Sequence, residues 1–257
     1  MRNRLTFFVL LAWLLPLCPV FAQIVTLEPA APTADGTEVK LIYDATEGTG
    51  ALVGAEKVYM HSGVVTSDPE GTAWQFVKGN WGQDDGIGEM TKIEGEDNKW
   101  QITFSPDIRS YYQVPDGQPV FRMAMVFRNA NGSVEGKGTP GTFNGGFVAE
   151  NQDIYLNLTV NEFVLVTEPQ QSLQFVNTGE SVAVKARASQ TSEKIRFLAD
   201  TGEGLAPADS AENVQEFTLN YTPQASGMVN FRAEATIGDT TVATERQLNL
   251  ILKEAPT

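Results

Sequence analysis

From Gln23 onward apolar residues recur at every second position, in runs of roughly five to eight residues, and this period narrows the fold more than any other feature. It is visible in "EVKLIYDA" (38–45), "KVYMHSGVV" (57–65), "KWQITFSP" (99–106) and "PVFRMAMVFRNA" (119–130). It continues through "DIYLNLTV", "ESVAVKARAS", "KIRFLAD", "VQEFTLNYTP", "MVNFRAEATIG" and "TTVATERQLNLIL". Side chains alternate between the faces of a strand, so each run makes a strand with one apolar face. No stretch after residue 22 shows a convincing helical period. Gly, Pro, Asn and Asp punctuate the runs; "NANGS" (129–133) reads as a hairpin turn around Asn-Gly, and "IGDTT" as another. Many short strands with turn residues between them predict an all-β chain of sandwich type.

The strands fall into two groups. The first carries Trp74, Trp81 and Trp100; the second has no tryptophan. The glycine-rich "GKGTPGTFNGGF" (136–147) reads as a loop closing the first group. A strand meeting Pro169, a Gly-Glu turn at 179–180 and a strand opening at Ser181 give the second group an immunoglobulin-like look. Its length of about a hundred residues suits a seven-stranded sandwich. The predicted organisation is therefore two consecutive β-sandwich domains, 23–158 and 159–257.

Residues 1–22, "MRNRLTFFVLLAWLLPLCPVFA", have Arg2 and Arg4, then an apolar run too short for a comfortable membrane span, then Val-Phe-Ala. This is the pattern of a cleaved signal peptide, with Gln23 as the new N-terminus and a secreted or cell-surface location. Cys18 is the only cysteine; bulky Leu17 and Pro19 beside it argue against a lipoprotein site. Cleavage would leave a chain with no disulfide and no transmembrane segment. The formal charge of -14 would become -16, because the leader has two arginines and no acid. That balance argues against nucleic acid and anionic membranes as partners.

His61 is the only histidine. A Ser-His-Asp triad would need a placed partner, and no Gly-x-Ser-x-Gly elbow is present. A zinc site would need more His or Cys. Carboxylates are abundant enough that pairs of them say nothing about glycoside hydrolysis, and no phosphate-binding Gly-Lys-Ser/Thr loop occurs. The aromatic cluster is more informative. Trp100 alternates in phase with Ile102 and Phe104 and reads as core. Trp81 lies among Gly79, Asn80, Gly82, Gln83, Asp84 and Asp85, a loop composition in which an indole is a lid or a ligand platform. Trp74 is open to either reading. With Val58 and Met60 turned to the core, Tyr59 and His61 share the opposite, solvent face; the other phase would bury them. An exposed Tyr–His pair near loop tryptophans can bind a sugar, the indole against its C–H face and polar groups on its hydroxyls. No organic cofactor is expected. Asp84, Asp85 and Glu89 in "GQDDGIGE" could hold calcium, although their spacing departs from the twelve-residue loop pattern and a solvated turn explains them.

The stretch "KVYMHSGVV…W…GNWGQDDGIGEMTKI…NKWQITFSP…YYQVPDGQPVFRMAMVFRNANGS" resembles the N-terminal β-sandwich of secreted bacterial alpha-amylase-superfamily proteins. It is also similar to starch-binding modules with a "VY-x-H" strand, a following Trp loop and a "W-x-x-x-F" strand. In such modules the strand histidine and two tryptophans form the glucan platform, which here implies His61, Trp74 and Trp81. The segment 160–253 is similar, less closely, to the immunoglobulin-like module that precedes the catalytic barrel in those enzymes. "QDDGIG" departs from the short loops of starch-binding modules, and no counterpart of the barrel follows "LILKEAPT". The resemblance thus implies a noncatalytic polysaccharide-binding chain, with α-glucan as ligand and Tyr59, His61, Trp74 and Trp81 as its site, related to enzymes whose catalytic domain is missing here. The rival expectation is a structural spacer of the cell surface with no ligand of its own.

Overall fold

A computed structural model describes residues 23–253, and the expected leader with Cys18 lies outside the described residues. The chain is almost entirely β, of sandwich type. In the N-terminal half, β1 (Val25–Glu28), β2 (Val39–Asp44), β3 (Tyr59–Val65), β4 (Gln75–Lys78), β5 (Thr91–Lys92) and β6 (Lys99–Phe104) precede a single helical turn, α1 (Ile108–Tyr112). They are followed by β7 (Arg122–Arg128), β8 (Glu135–Gly136), β9 (Gly141–Phe143), β10 (Gly146–Val148) and β11 (Ile154–Asn157). Two sheets face each other: β1-β2-β6-β5, and β4-β3-β7-β11-β10-β9 with β8 also on β7. Alternation explains what lies between them. Val39, Leu41 and Tyr43 from β2, Trp100 and Phe104 from β6, and Met60, Val64, Met123, Met125 and Phe127 from β3 and β7 form one buried core.

Two local expectations are corrected. The helix α1 had no periodic signature because it is too short for one; Asp107 caps it, its Oδ1 accepting from the Ser110 amide at 2.6 Å. The glycine-rich stretch 136–147 is a hairpin rather than a loop, with β9 and β10 antiparallel and Phe143 facing Gly146 across the turn.

In the C-terminal half, β12 (Val164–Glu168), β13 (Leu173–Asn177), β14 (Val182–Asp200), β15 (Ala206–Tyr221), β16 (Gly227–Ile237) and β17 (Thr240–Lys253) form one sheet, ordered β12-β14-β16-β17-β13 with β15 also on β14. The two runs read separately as "ESVAVKARAS" and "KIRFLAD" are one strand, β14, whose register with β15 shifts between Arg187 and Ser192. Beyond this irregularity β14 pairs with β16, before it with β12. The bend lets β12 pack against β16 and β17 without pairing to them. The second core, Val184, Ala186, Ile195, Phe197, Phe231, Ala233, Leu248 and Leu250 among others, is a cluster separate from the first. Among the described residues no helix is long and apolar enough to cross a membrane.

Candidate functional site

The outer face of the seven-stranded sheet carries the residues singled out by the sequence. Strand β3 lies between β4 and β7. Val58, Met60 and Val64 point into the core, so Tyr59, His61 and Gly63 point outward. Across the β3–β7 ladder Tyr59 faces Arg128, His61 faces Val126 and Gly63 faces Ala124. The last row continues over β11 and β10, where Ala124 faces Tyr155 and Tyr155 faces Phe147.

Small residues in that row give Trp74 its place. It precedes β4 at the sheet edge, and its Nε1 donates to the Tyr155 hydroxyl at 3.0 Å, which itself donates to the Thr72 carbonyl at 3.0 Å, so the two side chains meet over the β3–β7 face. Gly63 and Ala124 leave room for it, and Trp74 packs with Val65, Ala124 and Tyr155. A Cβ at Gly63 would stand 2.9 Å from the Gln75 carbonyl and 3.5 Å from the Trp74 Cβ, so glycine sets the depth at which the indole rests. Phe147 stacks on Tyr155 at 4.8 Å and 8° and extends the aromatic surface.

Trp81 comes from the loop that follows β4. Gly79 opens this loop with φ of +99°, a conformation that favours glycine, and its missing side chain admits the ring of His61, whose Nδ1 would lie 3.2 Å from a Cβ there. The His61 Nδ1 is 3.0 Å from the Gly79 carbonyl oxygen. A carbonyl only accepts, so Nδ1 carries the proton and Nε2 is left as an acceptor. The Trp81 ring stands edge-on to His61 at 5.4 Å and 89°, and the Trp74 ring lies 6.0 Å from it, tilted by 31°. Trp81 is 42% exposed. Partial burial holds the imidazole below the ordinary histidine range, opposed by the Gly79 carbonyl and assisted by the Arg128 charge, so His61 is neutral near pH 7.

Tyr59 is on the predicted face but not in solvent. It is fully buried, which corrects its expected role as an exposed sugar contact. Its hydroxyl donates to Asp84 and lies 3.0 Å from Glu89 Oε2, and burial together with these carboxylates pushes it above the ordinary tyrosine range. Lys57 joins the same pair, 2.9 Å from Asp84 and 3.7 Å from Glu89. Asp85 accepts from Asn80 at 2.7 Å and from the Ile87 amide at 3.0 Å. Of the three carboxylates considered for calcium, Asp84 and Glu89 fasten the loop to Tyr59 and Lys57, and Asp85 braces the loop internally. Bonds from the Tyr59 hydroxyl and the Lys57 ammonium hold the Asp84 carboxyl below the usual carboxylate range. Among the described residues no group of three or more His, Cys, Asp or Glu side chains converges as a metal site would require.

Arg128, which the sequence reading passed over, joins these parts. Its side chain is fully buried, with the guanidinium 4.4 Å over the Tyr59 ring. It donates to the carbonyls of Asn80 and Gln83 at 2.8 Å each, and to those of Asn129 and Ala130 at 3.0 and 2.8 Å. One cation thus ties the Trp81 loop to the turn after β7. The only hint in the sequence is an arginine directly after the apolar stretch Met123 to Phe127.

His61, Trp74, Trp81, Val126, Glu135, Lys137 and Asp153 line one open depression. Val126 is its floor, the indoles flank it, and the three charged residues were not anticipated. Lys137 and Glu135 pair at 2.9 Å. Asp153 accepts from Asn151 at 2.8 Å, and burial pushes its carboxyl up more than that bond and the Lys137 charge draw it down. Trp100 stays apart, 3% exposed in the core as its alternation predicted.

Residues 25–135 match a family described as a domain of unknown function, DUF8578. No curated protein matches the chain. Among solved structures, the beta-glucuronidase of Bacteroides uniformis aligns at 9% identity and TM-score 0.30 over 37% of this chain and 11% of the enzyme. The endo-beta-1,4-mannanase from Thermotoga petrophila aligns at 15% and 0.28 over 36% of this chain and 20% of the enzyme. The human OSCAR ligand-binding domain aligns at 12% and 0.22 over 88% of this chain and 96% of that domain. The chain thus spans a minor part of either enzyme, and TM-scores this low assign neither activity nor ligand. What the chain is similar to over 111 of its 257 residues (25 to 135 inclusive) is a domain whose function is itself undescribed.

Proposed function

We propose that this chain is a noncatalytic carbohydrate-binding protein that works outside the cytoplasm and captures a glycan on the outer face of its seven-stranded sheet. The observation that carries the reading is Trp81, a large exposed indole held at a fixed angle beside His61 and Trp74 by a loop that is itself anchored. A fixed aromatic surface loses little side-chain entropy when a sugar face stacks on it. His61 Nε2 and the carboxylates of Glu135 and Asp153 can accept from ring hydroxyls, and Lys137 can donate. Tyr59 supports the site from below. The family resemblance makes an α-glucan the first ligand to try, with a catalytic domain on another segment or chain as its companion.

Titration with malto-oligosaccharides and soluble starch, followed by tryptophan fluorescence and calorimetry, tests the reading. A saturable signal that Trp81→Ala abolishes is expected. No signal with any glycan would leave the chain as a structural spacer, and release of reducing ends would make it an enzyme.

A further inference from the structure

The depression is not electrically neutral, and its imbalance has a position. Lys137 and Glu135 satisfy each other at 2.9 Å. Asp153 makes no ion pair among the described residues; its one side-chain partner is the neutral Asn151 amide. An unbalanced carboxylate therefore shares a depression with two indoles and a histidine whose Nε2 is an acceptor. A chain of neutral hydroxyls would use these groups only as hydrogen-bond acceptors. A positive charge would use them fully, because aromatic faces attract cations and a carboxylate supplies the opposite charge.

We infer that this depression takes the protonated amine of an amino-sugar unit, with the ammonium at Asp153 and the pyranose face against Trp81 or Trp74. The inference rests on the carbohydrate reading and narrows its ligand class. The ammonium supplies three donors, which match Asp153, His61 Nε2 and a further acceptor such as Glu135. N-acetylation would remove the charge and two of those donors. Uronic acids would be repelled by Asp153 and by the net charge of -14.

The experiment compares glucosamine disaccharide, its N-acetylated counterpart and maltose of equal length by calorimetry. Conditions are about pH 6, where the amine is protonated, and about 0.15 M salt, which screens the general attraction between a cation and an acidic protein. The parent protein is expected to bind the free amine roughly tenfold more tightly than the acetylated sugar. Asp153→Asn keeps the shape and an acceptor for Asn151, and should erase that preference while neutral sugars bind as before. Trp81→Ala should weaken all three. Equal binding of the free and acetylated sugars would overturn the amine inference and leave the carbohydrate reading intact. A preference that survives in Asp153→Asn would overturn it too, by placing the charge recognition elsewhere. If none of the sugars binds, both readings fail together.

Discussion

The guanidinium of Arg128 lies 4.4 Å over the ring of Tyr59, its direct cross-strand neighbour. The pair is the base on which the Trp81 loop stands: Tyr59 reaches Asp84 and Glu89 near the end of that loop, and Arg128 reaches the carbonyls of Asn80 and Gln83 near its start. A buried charge is costly unless it is paired, and here four backbone carbonyls take the two terminal nitrogens and an aromatic face lies under the guanidinium, while Nε is left without a partner among the described residues.

Arg128→Met should accordingly lose about 2–4 kcal/mol of stability, because it strands carbonyls as well as removing a side chain. Tyr59→Phe should lose only about 0.5–1.5 kcal/mol, since the ring stays. Chemical denaturation gives both values. Hydrogen exchange across 79–89 should rise in each variant, and an unchanged pattern in Arg128→Met would show that the loop is held by something else.

Trp81 and Trp100 should respond in opposite ways. Trp81→Ala should cost less than about 1 kcal/mol at a site 42% exposed. Trp100→Ala, which empties a core position 3% exposed, should cost about 3–5 kcal/mol. Thermal melts separate them, and glycan titration should be lost in the first variant and kept in the second.

His61 should make stability fall in mild acid. Burial lowers its pKa in the folded chain, so the unfolded chain binds more protons between the folded value and about 6.5. Stability then rises with pH through that window and falls as pH drops below about 6.5. His61→Gln should flatten the profile between about pH 7 and 5. Denaturant midpoints measured across that range check this; an equal slope in both proteins would place the titration on other groups.

The two buried clusters, one drawn from 24–158 and the other from 164–250, suggest where the chain can be divided. A fragment of 159–257 should unfold cooperatively on its own, with a denaturant slope in proportion to its length. Far-UV circular dichroism during urea titration measures this, and a fragment without a transition would mean that the halves depend on each other for folding.

The period of apolar residues determined the class of the fold, because alternation forces strands to bury one face and short runs between turn residues force many of them. It also determined that Val58 and Met60 face one way and Tyr59 and His61 the other, and that Trp100 belongs to the core. What alternation cannot specify is what covers the second face. Alternation turns Tyr59 outward and loop composition leaves Trp81 free to be covered or not, yet the 79–89 loop folds back over Tyr59 and leaves Trp81 outside. That choice depends on Arg128, which lies 39 to 69 positions from the carboxylates and tyrosine it helps to gather. The meeting of Trp74 and Tyr155 likewise depends on two small residues, Gly63 and Ala124, facing each other beneath them across β3 and β7. Asp153 enters the depression only because β11 pairs with β7. The sequence therefore set the faces of the strands, through a rule that acts between neighbours. The tertiary structure decided which outward residues became the site, because the charges and small residues that shape it come together only through pairing between distant strands.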